Sequence, residues 1–156
     1  MDTTWNGMNR EQLKGHIKAC FRTEAAFEDI VMNRDNSEAL ELAQRIKGKD
    51  WIAVTGNREL YEYTASGFVF LTAAAQVYYL PALLYAAVDR AADYYTECLV
   101  YWLKYAALAS KDSNEQATLS LLTKEQRGVV SDVLEFGKKN FGDPCSEICE
   151  EILAIL

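Results

Sequence analysis

Residues 64–88 carry no charged side chain, in a protein of which a quarter is charged. The inner part of this window, residues 67–88, reads GFVFLTAAAQVYYLPALLYAAV. A stretch this apolar must be buried, either in a protein core or in a bilayer, and it is long enough to cross a bilayer. It also contains Gly67, Thr72, Gln76, Tyr78, Tyr79 and Pro81. Thr72 and Pro81 have the form of helix starts. The window therefore reads as two pieces of a buried segment. Residues 68–71 form a linker, and a helix begins at Thr72 and is reset at Pro81. The remaining helices are expected to lie against this segment, and no membrane span is expected.

The flanking sequence supports helices. Asn9 with Gln12, and Thr123 with Gln126, have the form of capping boxes. Thr23 and Ser37 read as further helix caps. The first of these leads a segment with Phe27, Ile30 and Val31 on its apolar side. The second leads a stripe of Ala39, Leu42, Ala43 and Ile46. Residues 89–109 read as the strongest helix, with Val88, Ala92, Tyr95, Leu99, Trp102 and Ala106 recurring at three- and four-residue spacing. Residues 110–116 read as a loop, with Leu119, Leu121 and Leu122 packed after it. Asp143 reads as an N-cap and Pro144 as the first residue of a last helix, which carries Ile148, Cys149, Ile152, Leu153 and Leu156. The fold expected is all-α: a single domain over residues 1–156, a bundle of about six to eight helices around a buried central helix.

Charge narrows the function. The 16 Lys and Arg are outnumbered by 23 Asp and Glu, for a net charge of −7. Binding nucleic acid through phosphates needs clustered cations, so that class is set aside. A basic protein partner is compatible with the acidity. The four cysteines, Cys20, Cys98, Cys145 and Cys149, are too sparse for a disulfide framework, and residues 1–8 do not resemble a secretory signal. A cytoplasmic location is the expectation.

Catalytic patterns are scarce. His16 is the only histidine. It lies four residues before Cys20, as Cys145 lies four before Cys149, yet structural zinc sites use tighter knuckles. No phosphate-binding glycine loop and no nucleophile elbow is present, so no cofactor or metal is expected. Asp89, Asp93 and Glu97 recur every four residues, which on one helix makes an acidic line. All nine tyrosines fall between Tyr61 and Tyr105. Tyr94, Tyr101 and Tyr105 fall off or beside the apolar stripe of their helix. Tyrosine is enriched at protein interfaces. Asp89, Asp93, Tyr94, Glu97 and Tyr101 are therefore the candidate partner-binding residues.

Phe70-Leu71-Thr72, Tyr78-Tyr79-Leu80-Pro81-Ala82 and Leu122-Thr123-Lys124-Glu125-Gln126 together resemble a family of small bacterial proteins of unknown function, over residues 13–134. The resemblance implies a shared helical fold and carries no catalytic residue; the last helix lies outside it. In size, charge and class the chain is also similar to immunity proteins, which neutralise a cognate bacterial toxin by binding it. The expectation is a non-enzymatic protein that occludes the active site of a basic partner, most concretely a secreted toxin. The alternatives are a structural or regulatory module acting as a homodimer, and, more weakly, an enzyme using carboxylates or Cys20.

Overall fold

The uncharged window forms a single 3-10 turn, Phe68–Phe70, and then one long helix, α5, Ala73–Arg90. The computed structural model describes residues 7–24, 30–32, 35–91 and 93–156. In chain order the other helices are α1 (Arg10–Cys20), α2 (Ser37–Ile46), α3 (Trp51–Gly56), α4 (Arg58–Ser66), α6 (Asp93–Leu108), α7 (Asn114–Leu121), α8 (Lys124–Asn140) and α9 (Cys145–Ile155). The protein is all-α, as expected, with nine α-helices among the described residues. The number exceeds the expected range slightly because short capped segments, such as α3 and α7, form helices of their own.

A helix that is apolar all round must be enclosed by others, and α5 is. It packs against α1, α3, α6, α7 and α8, while α9 closes the bundle against α6 and α8. The polar groups of α5 tie the chain together instead of facing water. Gln76 is fully buried; its amide donates to the Phe68 carbonyl at 3.0 Å and its side-chain oxygen accepts from the Thr118 hydroxyl. The Tyr79 hydroxyl donates to the Lys49 carbonyl at 2.8 Å, and the Tyr78 hydroxyl to that of Thr23. The indole of Trp51 donates to the Arg22 carbonyl at 3.0 Å. The Tyr78, Tyr79 and Trp51 groups are thus satisfied by carbonyls of the loops leading into α3 and following α1, which fixes those loops against α5. Among the described residues no helix is long and apolar enough to cross a membrane.

Both capping boxes form as read, at Asn9 and at Thr123. Other boundaries differ, each for a physical reason. Pro81 does not reset the helix. It lies inside α5, buried on every side, and the enclosing packing tolerates the one hydrogen bond it cannot make. The break comes at Ala91, in the left-handed region with φ 48°, its N–H closing on the Ala87 carbonyl at 2.9 Å. Residues 89–109 are therefore two helices. Asn36, not Ser37, caps α2, its side chain accepting from the Glu38 and Ala39 amides. Ser113 caps α7, which shortens the expected 110–116 loop. At α9 the capping position belongs to Pro144 in place of Asp143, and Gly142, at φ 75°, makes the turn before it.

The helix expected after Thr23 falls largely outside the described residues. Its far end is not helical: Val31 pairs with Leu71 in an antiparallel bridge, joined by Met32 N–H to Phe70 O and Thr72 N–H to Ile30 O, both 2.9 Å. The β-like character of residues 68–71 is expressed only there. Leu121 and Leu156, expected in the core, are exposed. Leu121 is the last residue of α7 and Leu156 follows α9, so neither has a helix above it.

Candidate functional site

Helix α6 has two faces. Thr96, Leu99, Val100, Trp102, Leu103 and Ala106 are buried, where the helix meets α5, α7 and α9. Turned the other way are Tyr94, Tyr101, Tyr105 and Leu108, exposed by 43, 49, 59 and 63%, with exposed Glu97 among them. Steps of three and four residues keep these five on one stripe of the helix. Large side chains this exposed, in a row, are uncommon on a surface with nothing to bind.

Of the predicted residues, Tyr94, Glu97 and Tyr101 share this stripe. Asp93 opens α6, and its side chain lies outside the described residues. Asp89 does not join it, which corrects the expected acidic line. Because the chain breaks at Ala91, Asp89 belongs to the last turn of α5 and its Oδ1 takes the Lys14 ammonium at 2.7 Å. That hydrogen bond holds the Lys14 pKa above its usual value. Tyr105 and Leu108 complete the stripe. Their signal was present in the sequence as continued three- and four-residue spacing from Tyr101.

The upper end of the stripe rests on an aromatic cluster. The Tyr61 ring lies 5.0 Å from that of Tyr95 and 6.3 Å from that of Tyr94, and Tyr94 and Tyr95 are 5.6 Å apart. The Cys98 thiol lies beside the Tyr61 and Tyr94 rings, and the buried Tyr61 hydroxyl makes no hydrogen bond among the described residues. Burial, followed by that thiol, pushes the Tyr94 hydroxyl up to about 12 and raises that of Tyr61 as well. Burial also raises the Cys98 thiol. Tyr61 and Tyr94 therefore stay protonated at neutral pH. Neighbouring charges are largely balanced: Glu62 takes Arg58 at 3.0 Å and Glu151 takes Lys104 at 2.8 Å. Glu97 makes no ion pair among the described residues. Among the described residues the face is a tyrosine stripe with one carboxylate, Glu97.

Cys20, Cys98 and Cys149 present little reactive thiolate. Cys20 is raised by burial and then by Glu125 and Asp132, and Cys149 is pushed up to about 12 by burial and then by Cys145. A thiol held protonated is a weak nucleophile. The Thr96 hydroxyl points to the Cys145 sulfur at 3.6 Å. His16 Nδ1 lies 3.7 Å from Asp132 on α8. Among the described residues no group of three or more His, Cys, Asp or Glu is placed to hold a metal ion. The buried carboxylate among them is Glu115, in the first turn of α7, where negative charge suits the helix end.

No curated protein and no solved structure matches the chain. The profile of a family of unknown function, DUF6714, matches residues 9–149. The match takes in α1 through Cys149 on α9, in keeping with the resemblance to a family of unknown function. A match across that much of the chain places the protein in this family of unknown function, DUF6714.

Proposed function

We propose that this protein acts by binding another protein through the exposed face of α6, with Tyr94, Tyr101, Tyr105 and Leu108 as apolar anchors and Glu97 as the charged contact. The observation that carries the reading is the exposed stripe of Tyr94, Tyr101 and Tyr105, with Glu97 and Leu108 in the same row, on a helix whose opposite face is packed. Tyrosine offers large contact area at low entropic cost, with a hydroxyl to orient the partner. The net charge of −7 supports a basic partner. The finer form of the proposal is an immunity protein that covers the active site of a secreted toxin. Catalysis by Cys20 is the less supported reading, since its thiol is held protonated.

The test is co-expression with the product of the neighbouring gene, followed by a light-scattering mass and a titration. The expected result is a 1:1 complex that a Tyr101→Ala/Tyr105→Ala double variant weakens by about tenfold or more, as for interface anchors generally. A complex indifferent to both substitutions would count against the α6 face. A pure sample with twice the monomer mass, dissociated by the same variant, would favour the homodimer, a reading that the largely uncharged stripe also suits.

A further inference from the structure

Where α1, α3 and α5 meet there is a cleft of about 210 Å³, lined by Lys18, Ile52, Thr55, Tyr85, Asp89 and Arg90 among others. Its electrostatics run against those of the whole molecule. Among the described residues the one carboxylate in the lining, Asp89, is paired with Lys14, whose ammonium reaches it at 2.7 Å and whose side chain is only 16% exposed. Two cations remain. The Lys18 ammonium sits 5.2 Å from the centre of the Tyr85 ring, and the Arg90 guanidinium 5.2 Å from that of Tyr95. Neither makes an ion pair among the described residues. Aromatic faces hold both cations in place without cancelling their charge. In a protein of net charge −7, a cleft whose two cations meet no ion-pair partner among the described residues is a local inversion of sign.

Much of the remaining lining is apolar. The Trp51 and Tyr85 rings are 6.0 Å apart, and Ile52 stands exposed at the rim. The volume lies below the ~300–1,000 Å³ of sites for drug-sized molecules, which limits the occupant to a small one. We propose that this cleft binds a small organic anion, with a carboxylate or phosphate head between Lys18 and Arg90 and an apolar body against Ile52 and Tyr85. The cleft lining shares no residue with the α6 stripe, although Arg90 stacks on Tyr95 of the cluster beneath that stripe; loss of anion binding in Lys18→Gln, on α1, therefore tests the cleft apart from the protein partner.

The experiment is an amide-resolved NMR titration of the full chain with benzoate, phenyl phosphate, inorganic phosphate and benzylamine. Saturable shifts at Lys18, Ile52, Gly56, Tyr85 and Arg90 are expected with benzoate or phenyl phosphate, and whichever binds tighter identifies the head group. Inorganic phosphate should bind more weakly than phenyl phosphate, and benzylamine should not bind. Lys18→Gln and Arg90→Gln should each weaken the tighter probe by about tenfold or more, a charged hydrogen bond being lost in each. Both side chains are exposed, and an unchanged spectrum away from the cleft will show that each variant is folded. The proposal is overturned if neither organic anion saturates, if benzylamine binds equally well, if inorganic phosphate matches phenyl phosphate, or if both variants bind as the parent does.

Discussion

Tyr79 shows how a residue that looks like ordinary core material carries a specific duty. It is fully buried and its hydroxyl donates to the Lys49 carbonyl, joining α5 to the loop before α3. Tyr79→Phe keeps the packing and removes the donor, so a loss of about 1 kcal/mol is expected in urea unfolding. An unchanged midpoint would mean that the hydroxyl holds nothing. The buried tyrosines also set a pH limit. Burial raises Tyr61 and Tyr79. In the unfolded chain they ionise near pH 10. Above that pH the unfolded state holds fewer protons than the folded one, so stability falls as pH rises. Their contribution is fully present below about pH 10 and is lost progressively above it. Urea midpoints measured from pH 8 to 11 should be level and then decline, and the decline should be shallower in Tyr79→Phe. A curve flat to pH 11 would contradict the burial of these hydroxyls.

At the scale of elements, the break at Ala91 matters most, because it separates Asp89 from Glu97. An alanine in the left-handed region is strained, and glycine favours that position at a helix end. Ala91→Gly should therefore raise stability by about 0.5–1 kcal/mol, read as a higher urea midpoint; a lower midpoint would argue that the strain is not there. Gly137 is the opposite case. A Cβ there would stand 2.5 Å from the Phe141 ring and 2.7 Å from the Cys149 sulfur. Gly137→Ala gains about 1 kcal/mol of helix propensity but wedges α8 from α9. Overpacking costs about 1–3 kcal/mol, so a net loss is expected by thermal unfolding. A gain would mean that α9 is free to shift. These two positions also mark the limits of reading the sequence. Asn9 and Thr123 announce their helices because their caps are local chemistry. Ala91 announces nothing, since its conformation is imposed by how α5 and α6 pack, and Pro81 misleads because enclosure overrides its local preference. The acidic line failed for that reason alone: four-residue spacing was right, and the helix it presumed was not continuous.

In the whole molecule, one apolar helix is enclosed by others, and the helix that follows it shows tyrosines to solvent. The uncharged window made the enclosure legible. Tyr94, Glu97 and Tyr101 were legible as a group because they lie within one helix, whereas the pairing of Asp89 with Lys14 joins residues 75 apart in the chain and leaves no local trace. The central claim is that α6 is the binding face, and exposed tyrosines can report on it directly. Hydroxyl-radical footprinting of the protein alone and in complex with its partner reads each side chain separately. The account predicts that Tyr94, Tyr101 and Tyr105 lose most of their reactivity in the complex while exposed Met32, on the bridge with the 3-10 turn, keeps its own. Tyrosines that stay reactive in a stable complex would contradict it.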